Sequence, residues 1–367
     1  MKLDSKRVVV GMSGGVDSSV AAILLHKQGY EVIGATISPF KIENDCRVDD
    51  NPKSCCSFKS VADAHEVCNM LGIEHKLIEM SARFRTMIVD NFINEYMSGR
   101  TPNPCVICNP NIKWQGMLEK ADSMGAGFVS TGHYAIINYD EETKRYYISK
   151  GTDKTKDQSY VLWNMTQEQL SRTILPLSNY PKTEIRKIAK EYRLPVFDKP
   201  DSQEICFIKD DDYGRFLREN VEGIESLEKG EIMYEGNKIG KHKGFPFYTI
   251  GQRKGLGISH KEPLFVKTID FRNNVIEVSR SEGLLSKTLF ASSVNLMKYE
   301  KLDSKRLFKV KIRYKDSGEE AWCESMPDGK LKVEFLEPRR AITPGQSVVL
   351  YEGEDLVGGG IIDEFLN

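Results

Sequence analysis

Arg7 to Val20 read RVVVGMSGGVDSSV, and this stretch leaves the chain little freedom in how it folds. Val8-Val9-Val10 is a β-branched run of the kind that forms a buried strand. The run breaks at Gly11 and passes through Met12-Ser13-Gly14-Gly15-Val16-Asp17-Ser18. A helix is predicted next, with Val20, Ile23 and Leu24 on its apolar side and Gly29 at its end. Glycines let a backbone approach a ligand closely, and a helix N-terminus presents unpaired N–H groups at the positive end of its dipole. Strand, turn and helix together make an anion site suited to phosphate. The Gly-Lys-Ser/Thr ending of a Walker loop is missing, and so is the Gly-x-Gly-x-x-Gly spacing of a dinucleotide fold. The plainer alternative is an ordinary glycine turn between a strand and a helix.

The pattern that follows fits a sheet built around that loop. Strands are predicted at Val8–Val10, Glu31–Ile37, Lys76–Ile78 and Phe128–Thr131. One helix starts at a Ser57 cap and carries Val61, Ala64, Val67, Cys68 and Leu71. A second carries Phe84, Ile88, Phe92 and Tyr96, and a third runs from about Pro110 to Met124. This alternation predicts an α/β domain with a doubly wound, mostly parallel sheet, whose ligands bind at the carboxyl ends of the strands. A hairpin is predicted near Asp140 to Lys150 and a helix at Lys182–Glu191. Past Asp212 short strands and glycine turns dominate, as in GEIMYEGNKIG and KLKVEFLEP. The expected organisation is a catalytic domain over 1–211, a small β-rich domain over 212–283 and a β-barrel over 284–367.

At 367 residues, 40% hydrophobic and 29% charged, the chain has the composition of a globular protein. No apolar run approaches membrane-spanning length, and Met1 to Lys6 is too short and polar for a signal peptide, so no membrane partner and a cytoplasmic location are expected. A net charge of −1 leaves room for a local nucleic-acid surface. The eight cysteines are Cys46, Cys55, Cys56, Cys68, Cys105, Cys108, Cys206 and Cys323. In a cytosolic chain they read as reactive or metal-binding thiols.

Cys105-Val106-Ile107-Cys108 lies in a loop stiffened by Pro102, Pro104 and Pro110, ahead of a helix whose N-terminus would ease thiol ionisation. The alternative is half a zinc site completed by Cys55-Cys56. Cys68 reads as core; Cys46 and Cys323 read as silent. Cys206 sits in KPDSQEICFI, where packing is the first reading of a lone cysteine. In LFKVKIRYK, Phe308, Val310, Ile312 and Tyr314 alternate with Lys309, Lys311, Arg313 and Lys315. On a strand this gives a basic row suited to phosphates, or equally the solvated face of an antiparallel sheet. Gln252-Arg253-Lys254 adds a second basic turn.

SGGVDS resembles the PP-loop of the ATP pyrophosphatases, which split ATP into AMP and pyrophosphate. With GRTPNPCVICN, IKW, TGHYA, KDQSYVLW, DSQEICFI, YTIGQRKGLGI, KIRYK and TPGQSVV it resembles the tRNA-specific 2-thiouridylases, in family order from residue 11 to residue 349. The resemblance implies that Gly11, Met12, Ser13, Gly14, Gly15, Val16, Asp17 and Ser18 hold ATP, with Ile37 and Gly132 along the nucleotide. Ile37 stands where the family commonly has Met. Cys108 matches the nucleophile and Cys206 the persulfide carrier, with a transient Cys108–Cys206 disulfide between them. Asn103, Pro104 and Cys105 match the loop that meets the target base; members carry Asp or Cys at the position of Cys105. His133, Lys156, Asp157, Gln158, Arg313, Tyr314 and Gln346 match tRNA-contacting positions.

The activity so implied is ATP-dependent 2-thiolation of the tRNA wobble uridine, with magnesium, tRNA and a persulfide donor or relay protein as partners. Three other readings stand beside it. One is a PP-loop ligase that adenylates a carboxylate. Another is a non-enzymatic cysteine-metal RNA-binding module. The third changes only the mechanism, with Cys105, Cys108 and Cys206 holding an iron–sulfur cluster.

Overall fold

The computed structural model describes residues 3–39, 58–201, 205–208 and 210–366. Cys46, Cys55, Cys56 and the expected cap Ser57 lie outside the described residues. The chain divides into two compact units. Unit 1 comprises 1–88, 105–211 and 354–357; unit 2 comprises 89–104, 212–353 and 358–367.

Unit 1 is built on a parallel five-stranded sheet in the order β3-β2-β1-β4-β7. The strands are β1 (Asp4–Gly11), β2 (Glu31–Ser38), β3 (Glu74–Glu79), β4 (Ala126–Ser130) and β7 (Thr173–Ile174). Val8, Val9 and Val10 are fully buried, as expected of a central parallel strand covered on both faces. β1 pairs with β2 on one side and β4 on the other, so the strand order reverses beside β1. The loop after β1 therefore sits at the switch point where such sheets bind ligands. Helices α1 (Val16–Lys27) and α2 (Phe58–Leu71) follow β1 and β2. Val20, Ala21, Leu25, Ala64, Val67 and Cys68 pack with Val8 and Val10 into one core. The expected hairpin forms as β5 (Ala135–Asp140) and β6 (Arg145–Lys150).

The third helix departs from expectation. It begins at Pro104, not near Pro110, and runs through a π-helical stretch, Asn109–Trp114, before Gln115–Met124. Pro104 suits a first helical position, where its missing N–H is not needed. Pro110 falls inside the helix, where it can donate to no carbonyl and its ring crowds the preceding turn. A widened π turn absorbs it, and Asn111 Nδ2 donates to the Ile107 carbonyl at 2.9 Å. Cys105 and Cys108 thus lie in a helical first turn, not in a loop ahead of one.

Unit 2 holds a four-stranded sheet, order β10-β11-β8-β9, from β8 (Glu231–Tyr234), β9 (Asn237–Lys241), β10 (Phe265–Asp270) and β11 (Val275–Ser279). Ile232, Phe245, Tyr248, Leu256, Leu264, Val266, Ile276 and Val278 form its core. The remaining strands are β12 (Leu285–Leu296), β13 (Arg306–Lys311), β14 (Glu319–Ser325), β15 (Leu331–Arg340), β16 (Ser347–Glu352) and β17 (Asp355–Leu366). They run β12-β15-β14-β13-β16-β17, and β12 pairs again with β17 to close a barrel. Cys323 is fully buried in that barrel, with its Sγ near the Ala321 carbonyl.

Candidate active site

The loop after β1 turns on a glycine that admits no side chain. Gly14 has φ +65°, and a Cβ there would stand 2.1 Å from the Ser60 carbonyl oxygen, so no side chain fits. Ser18 Oγ, 3.1 Å away, accepts from the Ser13 amide, and it donates to the Gly15 carbonyl at 3.2 Å. Among the described residues, the amides of Gly14, Gly15, Val16, Asp17 and Ser18 donate to nothing. These are the orphan donors of a helix start, pointing along the positive end of the α1 dipole. Gly132, just after β4, lies close against the start of α1: a Cβ there would lie 2.7 Å from the Asp17 carbonyl carbon and the Ser18 nitrogen. Ile37 is half-buried at the carboxyl end of β2. Met12, 2% exposed, is fixed through its backbone, which bonds Ala35 and the Thr36 hydroxyl.

Around this loop runs an ionic network that joins three of the sequence motifs. Lys182 Nζ donates to both Asp17 oxygens at 2.7 Å and reaches Asp201 Oδ1 at 2.8 Å. Lys156 donates to the other Asp201 oxygen at 2.9 Å, and Arg186 stands 3.3 Å from Asp201. Tyr134 OH donates to Asp17 Oδ1 at 2.6 Å. SGGVDS, KDQ and the aspartate that opens DSQEIC are thereby tied through two ammonium groups, Lys182 between Asp17 and Asp201 and Lys156 on Asp201. Burial works against the Asp201 carboxylate, but hydrogen bonds from Lys182 and Lys156 hold its pKa down at about 2. Burial raises the Tyr134 phenol, and the Asp17 charge raises it further. The hydrogen bond to Asp201 raises the Lys156 ammonium. A second clamp reaches the loop itself: Lys199 Nζ donates to the Gly14 carbonyl at 2.9 Å and to Asp63 at 2.8 Å.

Tyr134, Lys182, Lys199 and Asp201 were not singled out from the sequence. Lys182 left one signal. It stands at the first residue of its helix, Lys182–Glu191, where a cation opposes the dipole. Such a lysine implies carboxylates nearby.

The expected RNA positions in unit 1 mostly have partners within the unit. Gln158 Oε1 accepts from the Tyr134 amide at 3.0 Å, and Asp157 accepts from the Ser159 amide at 3.0 Å. His133 Nδ1 lies 2.7 Å from the Thr131 hydroxyl, and its ring is 5.4 Å from Trp114. Burial, with the Lys113 charge, lowers its pKa to about 3, so the ring is neutral near pH 7. Cys105 is exposed, Cys108 is 8% exposed and Cys206 is half-buried in a turn. Phe207 anchors that turn edge-on against Phe84.

In unit 2, Gln346 does something the sequence did not suggest. Its Nε2 donates to the Thr101 carbonyl at 2.9 Å and the Pro102 carbonyl at 3.3 Å, bracing the segment that carries Asn103 and Pro104. The basic strand needs correction. β13 ends at Lys311, and Ile312 to Lys315 form a turn, so Tyr314 leaves the apolar row and is 42% exposed beside Arg313 and Lys315. The cause is Asp316, 8% exposed, whose carboxylate accepts from the Ile312 amide at 3.0 Å, the Gly318 amide at 3.2 Å and Arg339 at 2.6 Å. It pulls the chain out of the ladder.

Comparison with known proteins fixes the family. Residues 6–210 match the model described as tRNA methyl transferase HUP domain, 216–280 the tRNA methyl transferase PRC-barrel domain and 286–362 the aminomethyltransferase beta-barrel domain. The tRNA-specific 2-thiouridylase MnmA 2 of Thermoanaerobacter sp. (strain X514) is 49% identical over 99% of both chains. The chain belongs to the tRNA-specific 2-thiouridylase family. MnmA of Salinibacter ruber is 47% identical over 98% of this chain and 94% of its own. A solved 4-thiouridine synthetase–RNA complex with bound ATP aligns with 58% of this chain and 50% of its own, at 19% identity and TM-score 0.34.

Membership confirms the expected class: a parallel PP-loop domain, a small PRC-barrel domain and a C-terminal β-barrel. Two expectations concern features other than fold. Among the described residues, no three of His, Cys, Asp or Glu converge to hold a metal ion. Among the same residues, no helix is long and apolar enough to cross a membrane.

Proposed function

We infer that this family member carries out ATP-dependent 2-thiolation of the wobble uridine of tRNA. The observation that carries the reading is Lys182, held between Asp17 of the phosphate loop and Asp201, five residues before Cys206. That arrangement couples the state of the nucleotide pocket to the segment bearing the sulfur carrier. A uridine 2-carbonyl is a poor electrophile, because oxide leaves badly. Transfer of AMP to that oxygen, with loss of pyrophosphate, creates a leaving group. The free amides of Gly14 to Ser18 and the Lys182 ammonium supply the positive charge that phosphate departure needs. Magnesium carried on the ATP phosphates would offset the charge that develops on the departing pyrophosphate.

In the sulfur step, a donor or relay protein loads Cys206 as a persulfide. Its terminal sulfur adds to the activated carbon and AMP leaves. Cys108 thiolate then attacks Cys206 Sγ, which releases 2-thiouridine and leaves a Cys108–Cys206 disulfide for a cellular thiol to reduce. Asn103, Pro104 and Cys105 receive the extruded base, which is cheap to present from an anticodon loop. His133, Lys156, Asp157, Gln158, Arg313, Tyr314 and Gln346 serve the RNA, the last by bracing the base loop. The proposed division is a catalytic domain over 1–211, then domains over 212–283 and 284–367. The test is Cys206→Ser: tRNA adenylation should persist while thiolated nucleosides disappear from digested tRNA. Loss of both activities would refute the separate roles of loop and thiol.

A further inference from the structure

The turn at Gln252 to Leu264 has a composition and a geometry that the reaction above leaves unused. It borders an open cavity of about 340 Å³ lined by Arg253, Gly255, Gly257, His260, Lys261 and Glu262. Leu256 and Leu264, 5% and 4% exposed, anchor it in the core of the small domain. Gln252 closes its first turn, accepting from the Thr249 amide at 3.1 Å and donating to the Lys254 carbonyl at 2.9 Å. The loop is therefore held at both ends.

Its charges are not used by the fold. Arg253, Lys254 and Lys261 are exposed, and among the described residues none has a carboxylate partner or a hydrogen-bond acceptor. Glu262, the acidic group on the lining, is taken by Arg280 Nε at 2.5 Å. The backbone adds to this. The amides of Arg253, Lys254, Gly255, Leu256, Gly257 and Ile258 donate to no described residue. Gly255 and Gly257 have φ of +80° and +69°, with no atom within 3.4 Å of where a Cβ would stand. Uncovered amides beside unpaired cations are the composition of an anion-binding concavity. Three cations spread along one turn, open to solvent, suit successive phosphates of a polymer better than a single small anion.

We propose that this loop is a phosphodiester-binding site that grips the backbone of the tRNA substrate at a place separate from the base-reading segment. The proposal rests on the tRNA reading above. Arg253→Gln/Lys261→Gln in the full-length chain tests it, because among the described residues both side chains lack partners that the fold would lose. Binding of unmodified tRNA is measured from 50 to 200 mM KCl. The double variant should bind about tenfold more weakly at 100 mM, and the log–log salt slope should be shallower by about 1.5. The KM for tRNA should rise with kcat unchanged. Identical affinity and slope in variant and wild type would overturn the site while leaving the tRNA activity standing. Failure of the wild type to bind tRNA would overturn both. A third arm titrates inorganic phosphate alone by calorimetry. Tight binding that is lost in the variant but not displaced by tRNA would assign the loop to a free anion and overturn the proposal.

Discussion

The SGGVDS loop and the Gln252 to Leu264 loop both gather positive charge, but they treat it in opposite ways. At SGGVDS the ammonium of Lys182 is 10% exposed and holds two carboxylates, Asp17 and Asp201. At the second loop Arg253, Lys254 and Lys261 face solvent with no partner among the described residues. A buried charge must be paired, and its pairing fixes a geometry. An exposed, unpaired one fixes nothing and costs little, but it stays available to a polyanion through an attraction that salt screens. The first arrangement suits a step in which atoms must be placed; the second suits capture of a large charged substrate. If this is right, the two loops should fail differently. The largest expected effect is at Lys182. Lys182→Met should lower the rate of tRNA adenylation by about 10²–10³ at saturating ATP, the usual cost of removing one preorganised electrostatic contact. The affinity for tRNA should stay near wild type. A Lys182→Met enzyme with normal turnover but weakened tRNA binding would reverse the assignment of the two loops.

Asp316 tests the comparison from the third basic element, the turn that carries Arg313 to Lys315. Here exposed cations rest on a buried, paired carboxylate. Burial opposes ionisation of Asp316, but two backbone amides and Arg339 keep its pKa below the usual carboxylate range. Asp316→Ala should leave Arg339, 13% exposed, without its closest partner and cost about 3 kcal/mol in urea unfolding. Asp316→Asn, which keeps some of the hydrogen bonds, should cost less, and both should weaken tRNA binding. Wild-type RNA affinity in a folded Asp316→Asn enzyme would mean that the turn needs no positioning.

Most of the fold was legible because it rests on local patterns. Val8 to Val10, the apolar face of α2 and the alternation in β13 each report burial over a few residues, and the structure agrees. The reading failed where a distant or backbone-specific effect decided the outcome. Pro110 suggested a helix start, but Pro104 supplied it and a π turn accommodated the later proline. The strand pattern carried Ile312 to Lys315 along, but a carboxylate four residues after Ile312 ends the ladder. The loop itself announced phosphate chemistry; the network around it did not. Lys182 and Asp17 are 165 residues apart, and no spacing rule links them. Gln346 and Thr101 are separated by 245 residues and meet only because the chain folds back. Motif order identified the family, whereas the pairings inside the site needed coordinates.

The smallest expected effect concerns whether charge at the catalytic sheet is as fixed as the comparison requires. His133 could in principle titrate near neutrality, yet burial, aided by the Lys113 charge, lowers its folded pKa to about 3 from a usual value near 6.5. Between those two values the unfolded chain binds a proton that the folded chain refuses. Stability contributed by the neutral ring is therefore complete above pH 6.5 and falls as the pH drops toward 3. The slope from this one group approaches 1.4 kcal/mol per pH unit. His133→Gln should remove it, so the difference between variant and wild type in urea unfolding should change by about 1 kcal/mol from pH 7 to pH 5.5. His75 and His242 are also held below their usual range by burial, so only that difference isolates His133. Parallel pH dependences in the two proteins would mean that His133 protonates freely in the fold. The catalytic sheet would then carry a titratable charge, and the contrast with the open loop would weaken.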